Sequence, residues 1–515
     1  MVGQKEAIAS EFDWKRLQNG SDIRGVALDG VPGETVNLTA DVADVLGRAF
    51  VQWLSQATDK PAAELTIAVG RDSRISGPAL MQAVTHGIAE QGCCVYDFAM
   101  ASTPAMFMST VTPDFECDGA IMLTASHLPF NRNGLKFFTA RGGLEKADIK
   151  AILGFAERQE WKPASTSGEI IDRDFISMYA DRFVHIIRDA VDSSSDRDRP
   201  LAGLKIVVDA GNGAGGFFAS QVLEPLGADT TGSQFLEPDG TFPNHVPNPE
   251  NAEAMASLRQ AVKENRADFG IIFDTDVDRS AAVDSAGNDL NRNRLIALMS
   301  AIVLREHPGS AIVTDSITSD GLTTFIESDL NGKHHRFKRG YKNVINEAKR
   351  LNEEGQESWL AIETSGHAAM RENYFLDDGA YLISKVLIDL AKAKLAGRSL
   401  SDLIANLQEP KESREFRLKL TGDDFTSYGN DVIDKLKRFA NSQPDWELVP
   451  NNYEGVRIAC RSPEENGWFL LRLSLHDPVM PLNIETNVAE GVSRIASRLL
   501  SFFEGLEAID SSPLK

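Results

Sequence analysis

Leu65-Thr-Ile-Ala-Val-Gly-Arg-Asp-Ser-Arg-Ile-Ser-Gly77 opens as a short apolar run and breaks into a loop of Gly, Ser and Asp. The next segment, Pro78 to Gln91, reads as a helix, and Cys93 to Phe98 reads as a second strand. The same order returns twice. Leu204 to Val208 is followed by the glycine turn Gly211–Gly216 and a helix from Phe217. Ala311 to Val313 is followed by Thr318-Ser-Asp-Gly321 and a helix from Leu322. Strands that alternate with helices predict βαβ units and parallel sheets. A spacing of roughly a hundred residues predicts repeated domains rather than a short-period solenoid.

The last quarter lacks the repeat. Asp192 to Pro200 is polar and irregular, and Leu407 to Arg414 marks a change of texture. Beyond it the pattern predicts a helix near Asp431 to Ala440 and strands at Gly455 to Ala459 and Trp468 to Leu475. An amphipathic helix follows from Ala489.

Two loops carry chemistry. Gly119-Ala-Ile-Met-Leu-Thr-Ala-Ser-His-Leu-Pro129 delivers Ser126 at the end of an apolar strand, between Thr124 and His127, with Lys136 just downstream. A hydroxyl is inert until a neighbour takes its proton or stabilises added charge, so this setting suits a nucleophile or phosphoryl carrier. The competing reading is a loop that merely caps the next element. Asp268-Phe-Gly-Ile-Ile-Phe-Asp-Thr-Asp-Val-Asp-Arg279 ends a strand in Asp274, Asp276 and Asp278, with Arg279 adjoining. Carboxylates so close repel unless a cation sits among them, and an all-oxygen set favours Mg2+. A haloacid-dehalogenase-type phosphatase, with Asp274 as nucleophile, is an alternative use of the same run. Gly211-Asn-Gly-Ala-Gly-Gly216 formally fits a dinucleotide fingerprint, although Asp209 would set negative charge beside the pyrophosphate.

Together these loops resemble the alpha-D-phosphohexomutases. The resemblance rests on Thr124-x-Ser126-His127-x-Pro129 and Asp274-x-Asp276-x-Asp278-Arg279 in the family's order. Asp22-Ile-Arg-Gly25, Val69 to Gly77, Asp209 to Gly216, Glu363-Thr-Ser-Gly-His367 and Asp377-Asp-Gly379 add to it. It implies three similar α/β domains with mixed, largely parallel sheets plus a C-terminal α+β domain, arranged around a central cleft. The expected domains are 1–165 with the phosphoserine loop, 166–290 with the metal loop, 291–408 with the sugar-recognition loop, and 409–515 with the phosphate-binding loop.

The activity implied is interconversion of hexose 1-phosphate and hexose 6-phosphate through phosphorylated Ser126 and a hexose bisphosphate. Phosphoglucomutase or phosphomannomutase activity leads, with phosphoglucosamine mutase or a non-catalytic sugar-phosphate binder as alternatives. The implied cofactors are Mg2+, on Ser126, Asp274, Asp276 and Asp278, and hexose 1,6-bisphosphate as activator. Ser126, His127, Arg24, Lys338 and Arg279 are the implied catalytic residues. Glu363, Ser365, His367, Lys136, Arg472, Ser474 and His476 are implied on the substrate. The resemblance frays at Arg472-Leu-Ser-Leu-His-Asp-Pro478, where Leu475 and His476 replace a small or amide residue and a hydroxyl donor.

Composition sets outer bounds. At 515 residues the chain is too long for one core. A net charge of −22 argues against nucleic-acid or membrane-surface partners, whose footprint is basic. Four cysteines, two of them adjacent, predict a reducing compartment rather than a disulfide framework. The first twenty residues lack the apolar core of a signal peptide, so a cytoplasmic location is expected, or an organelle stroma if a transit peptide was removed. Hexose phosphates are the expected partners, and a monomer or dimer the expected state.

Overall fold

The computed structural model describes residues 12–161, 164–191, 196–422, 424–474 and 477–515. The polar run Asp192 to Ser195, and Leu475 and His476, therefore lie outside the described residues. Among the described residues there are four sheets: three belong to α/β domains, and the fourth is an antiparallel sheet in an α+β domain.

The described chain forms two compact units. The first holds residues up to Asn291 with Ser365–Ala369 and Leu376–Leu400. Its larger sheet runs Gln18–Asn19, Asp22–Val26, Arg132–Thr139, Gly119–Leu123, Thr66–Arg71, Cys94–Met100, Ile170–Asp172. Thr66–Arg71 lies parallel to both Gly119–Leu123 and Cys94–Met100, as the alternating pattern predicts. Every residue of Gly119–Leu123 is buried, which explains its unbroken apolar sequence.

Helices Ala40–Thr58 and Gly77–Ala89 touch almost backbone to backbone. A Cβ on Gly87 would meet the Asp44 carbonyl at 2.2 Å, and one on Gly47 would meet that of Val84 at 2.6 Å. The second sheet places Phe269–Phe273 between the parallel Ile206–Asp209 and the antiparallel Ser280–Asp284.

The second unit holds Arg292–Thr364, Met370–Phe375 and Ser401–Lys515. Ala311–Thr314 pairs in parallel with Lys333–Arg336 and Ser358–Ile362. The tail sheet is antiparallel, in the order Trp446–Leu448, Val456–Cys460, Gly467–Leu471, Val479–Thr486, Glu412–Leu420, Ile509–Asp510. Helices Phe425–Asn441 and Gly491–Phe503 contribute Leu436, Ile495 and Leu499 to its core. Arg457 is buried at 2% exposure, with its guanidinium 3.5 Å over the Trp468 ring. It donates to the carbonyls of Ser316 and Thr318 and to Asp320.

Four local expectations shift. The helix expected from Phe217 is π-helical over Phe218–Leu223, and the one expected at Leu322 is α-helical over Asp320–Thr324 before turning π-helical over Phe325–Asp329. The helix expected from Asp431 starts at Phe425, where the Asp424 side chain accepts the Ser427 N–H and caps it. The strand expected to reach Leu475 ends at Leu471. Arg472 still donates its N–H to the Pro481 carbonyl and Ser474 its N–H to that of Val479, but proline has no N–H to return, so the regular ladder is broken there. No helix among the described residues is long and apolar enough to cross a membrane, and all four cysteines are free thiols.

Candidate active site

The Ser126 loop hangs from a buried arginine. Arg74, fully enclosed, donates to the carbonyls of Ser126, Leu128, Pro129 and Arg132 at 2.5 to 2.9 Å. Asp72 supports the same loop: it accepts the Thr124 hydroxyl at 2.7 Å, and Thr124 accepts the Ser126 N–H at 2.9 Å. Ser126 has φ +50°, a left-handed conformation that costs a non-glycine residue energy and persists only where the surroundings impose it. Here the loop's own carbonyls and amides are tied down, so the strain is held at the reactive residue.

The aspartate loop meets that serine. The Ser126 hydroxyl donates to Asp274 Oδ2 at 3.0 Å and accepts from Arg279 Nη2 at 3.0 Å. Arg279 also bonds Asp274 through its Nε, its Nη2 and its backbone N–H. Asp274 and Asp276 are 0% exposed and Asp278 is 2% exposed, which excludes a solvated acidic turn. One carboxylate oxygen from each lies within 4.8 Å of the others. Asp276 Oδ1 and Asp278 Oδ1 are buried without a hydrogen-bond partner among the described residues. Burial, then the charges of Asp278 and Asp276, push the Asp274 pKa well up. Orphaned oxygens in a mutually repelling, all-oxygen set fit a hard divalent cation such as Mg2+.

Cations buffer this loop. Lys136, read from sequence as a substrate cation, places Nζ 2.9 Å from Asp276 Oδ2 and 2.6 Å from Asp278 Oδ2. Burial alone would raise the Asp278 pKa, but Lys136, His367 and Arg279 outweigh it and keep it low. The Thr103 hydroxyl donates to Asp276 Oδ2, and the Thr103 N–H donates to the Asp276 carbonyl at 2.9 Å.

The two histidines are in opposite states. His127 Nδ1 accepts from Arg279 Nη2 at 2.7 Å and lies 3.4 Å from Ser126 Oγ. The residue keeps solvent contact on one side, but desolvation of its ring and the charges of Arg279 and Arg24 lower its pKa to about 3. It is therefore neutral, with the proton on Nε2. His367 Nδ1 bonds Asp377 and lies 3.9 Å from Asp278. Burial opposes its charge, but Asp377 and Asp278 prevail and raise its pKa to about 9. Arg24 donates to the Ala125 carbonyl at 3.2 Å and to Asp22 at 3.1 Å, beside the reactive serine.

Ser126, His127, Arg24, Lys136, Asp274, Asp276, Asp278, Arg279 and His367 thus converge within the first unit. Ser365, also there, is buried at 7% exposure. Lys338, Glu363, Arg472 and Ser474 belong to the second unit. Glu363 accepts the Gly340 N–H at 2.6 Å. Lys338 is exposed, its Nζ 5.9 Å from the Phe337 ring centre. Arg472 is buried, with Nη1 3.9 Å from Glu454 Oε1.

The glycine turn supports the metal loop. A Cβ on Gly213 would lie 2.7 Å from the Thr275 carbonyl, one on Gly215 3.0 Å from the Phe273 ring, and one on Gly216 2.3 Å from the Leu236 carbonyl. The N–H groups of Gly211, Asn212, Gly213 and Ala214 are taken by the Asp209 side chain and by the carbonyls of Phe235, Ala210 and Thr275, so they are not offered to a pyrophosphate. Gly379 does the same for Arg279, whose carbonyl carbon is 2.7 Å from where its Cβ would stand.

Arg74 and Asp377 lie inside motifs that give neither of them a role, and Thr103 and Glu454 lie in none. For Arg74 a signal existed: a charged residue two places after Asp72 at a strand end, where the loop leaves orphan carbonyls. Thr103 and Glu454 stand in unremarkable contexts.

A serine strained against a buried carboxylate loop, on this succession of α/β domains, defines a phosphoryl-transfer enzyme. Residues 15–162, 178–287 and 291–410 match the phosphoglucomutase/phosphomannomutase alpha/beta/alpha domains I, II and III. A phosphomannomutase/phosphoglucomutase of Pseudomonas putida is 32% identical over 92% of this chain and 94% of its own. A phosphoglucomutase of Neisseria gonorrhoeae is 30% identical over 94% and 95%. The crystal structure of a phosphoglucomutase/phosphomannomutase family protein from Burkholderia thailandensis superposes with a TM-score of 0.76 at 28% identity, covering 96% of this chain and 98% of that one. The chain belongs to the phosphoglucomutase/phosphomannomutase family of phosphohexomutases.

Proposed function

We propose that the protein interconverts hexose 1-phosphates and hexose 6-phosphates, with glucose and mannose phosphates as the leading substrates, through phosphate carried on Ser126. One observation carries this reading: Ser126 Oγ stands 3.0 Å from both Asp274 Oδ2 and Arg279 Nη2, at the edge of the carboxylate loop. A phosphoryl group on that oxygen would lie against the loop's cation site and within reach of a guanidinium. Asp274, Asp276 and Asp278 would hold Mg2+ together with that phosphoryl group, and the ion would supply charge neutralisation during transfer.

As the Oγ–P bond breaks and a bond forms from phosphorus to a sugar hydroxyl, Arg279 faces the oxygen that gains charge. His127, neutral with Nε2–H outward from its bond to Arg279, acts as a hydrogen-bond donor. The attacking sugar hydroxyl passes its proton to Lys338, and His367, charged and oriented by Asp377, supplies one to the departing serine oxygen. Arg24 stabilises the serine loop's phosphoryl group. Glu363 and Ser365 take sugar hydroxyls, while Arg472 and Ser474 take the non-reacting phosphate, with His476 assigned beside them from sequence. The bisphosphate formed returns its other phosphate to Ser126, and hexose 1,6-bisphosphate charges an empty enzyme. The domain limits 1–165, 166–290, 291–408 and 409–515 assign each of these loops to its own domain, and a cytoplasmic or stromal location fits four free thiols.

The test is mutase turnover with Mg2+ and a hexose bisphosphate on glucose, mannose and glucosamine 1-phosphates, in wild type and Ser126→Ala. Turnover lost in Ser126→Ala supports the phosphoserine route and names the sugar. Phosphate release untouched by that substitution overturns it in favour of Asp274.

A further inference from the structure

Arg472 is 8% exposed, yet its guanidinium makes no hydrogen bond among the described residues. Nε is enclosed without an acceptor, and Nη1 approaches only Glu454 Oε1, at 3.9 Å. A buried guanidinium with unspent donors is poised for an anion. Glu454 is in the opposite condition. Its Oε2 accepts both the Ser316 hydroxyl and the Arg339 N–H, the latter at 3.2 Å. Arg339 precedes Gly340, which caps the thirteen-residue helix Tyr341–Glu353, so the carboxylate also lies at that helix's positive end.

The placement is fixed from behind. Gly455 has φ +56°, and a Cβ there would lie 2.1 Å from the Leu471 carbonyl and 2.8 Å from Arg472 Cα. The glycine next to Glu454 therefore rests on the backbone of Arg472 itself. Asn452 closes the same turn by donating to the carbonyls of Glu454 and Gly455.

A hydroxyl, a backbone N–H and a guanidinium thus converge, and a carboxylate of the protein has taken the first two. A phosphoryl dianion offers three oxygens and could take all three donors, but it cannot share them with a carboxylate in a half-buried place. We infer that Glu454 is an internal competitor for the phosphoryl group of the sugar phosphate, which displaces it from Ser316 and Arg339 on binding to Arg472. This rests on the reading of the Arg472 loop as the phosphate site. The competitor weakens substrate binding, and it gives the vacated donors an acceptor when the ligand leaves. An intermediate that must reorient between two transfers gains from such a site, because release is assisted.

The experiment is calorimetric titration of glucose 1-phosphate, with Mg2+, into Ser126→Ala protein, so that no turnover intervenes. Adding Glu454→Gln is expected to tighten binding about tenfold, the scale of a hydrogen bond to a charged group. Unchanged or weaker binding overturns the inference. Should Glu454→Gln fail to fold, Glu454→Asp carries the test with the same sign, because the shorter side chain loses its reach to Ser316 and Arg339. Arg472→Gln in the same background separates the two readings. If it leaves affinity unchanged, the phosphate site lies elsewhere and both readings fall. If it weakens binding while Glu454→Gln does not tighten it, the phosphate site stands and only the competition is wrong.

Discussion

Arg74 holds Ser126 by the backbone: its Nη2 donates to the Ser126 carbonyl at 2.5 Å, leaving the hydroxyl to Asp274 and Arg279. The reactive oxygen is thus aimed by a residue that never touches it. Because the same guanidinium also takes the carbonyls of Leu128, Pro129 and Arg132, the loop moves as one piece or not at all.

Arg74→Lys replaces a planar fork with a single ammonium that cannot reach four carbonyls. The expected result is a kcat about 100-fold lower with KM nearly unchanged, since a misplacement of about 1 Å costs that much in transfer. Steady-state kinetics at saturating bisphosphate, beside a thermal melt showing a folded variant, checks it. A KM effect with kcat intact would refute the positioning role.

Thr103→Val removes the hydroxyl that orients Asp276. Partners of metal ligands typically tune affinity by about 10- to 100-fold, so half-maximal activity should require correspondingly more Mg2+. The Mg2+ activation curve reads this directly, and Asp276→Asn should shift it further. A superimposable curve for Thr103→Val would deny the hydroxyl any part in metal binding.

Gly213→Ala drives a methyl group to 2.7 Å from the Thr275 carbonyl, which belongs to the metal loop's backbone and cannot rotate away. The expected loss is about 1–3 kcal/mol of stability, the usual cost of overpacking. Urea unfolding measures it.

His245 sits against Asp209, with Nε2 3.0 Å from both carboxylate oxygens. Burial disfavours its charge, but the hydrogen bond and charge of Asp209 outweigh it and raise its pKa above 6.5. The folded state therefore binds this proton more tightly than the unfolded chain does. The resulting stability is complete below pH 6.5 and is lost as pH rises through the folded value. His245→Gln keeps a donor for Asp209 and cannot titrate, so the wild type's advantage over it should shrink as pH rises above 6.5. An advantage independent of pH would contradict the assignment.

The parts of this protein that were legible in its sequence are contiguous ones. Ser126 and the three aspartates could be found because each loop follows directly on an apolar strand, and the repeat of strand, loop and helix set the fold class. What escaped are relations across distance. Lys136 reads as a cation near Ser126, but its carboxylate partners lie 140 and 142 residues further on. Arg74 answers carbonyls more than fifty residues away, and a carbonyl leaves no mark in sequence. The glycine turn was ambiguous for a related reason: only the packing of Thr275, Phe273 and Leu236 tells a supporting turn from a phosphate cradle. The π-helical segments depend on hydrogen-bond registration, which side-chain periodicity does not encode.

The buried Arg457, stacked on Trp468, has a consequence for how the chain is made. Its donors satisfy the carbonyl of Ser316 across 141 residues and that of Thr318 across 139. While the ribosome is still adding those residues, the turn after Ala311–Thr314 has no partner for these groups. The parallel strands can assemble early, but the turn that carries Ser316 reaches its final form only after the last sheet has emerged, a long-range closure that slows folding. A nascent chain stalled before Val456 would hold its third α/β domain with the carbonyls of Ser316 and Thr318 still without Arg457.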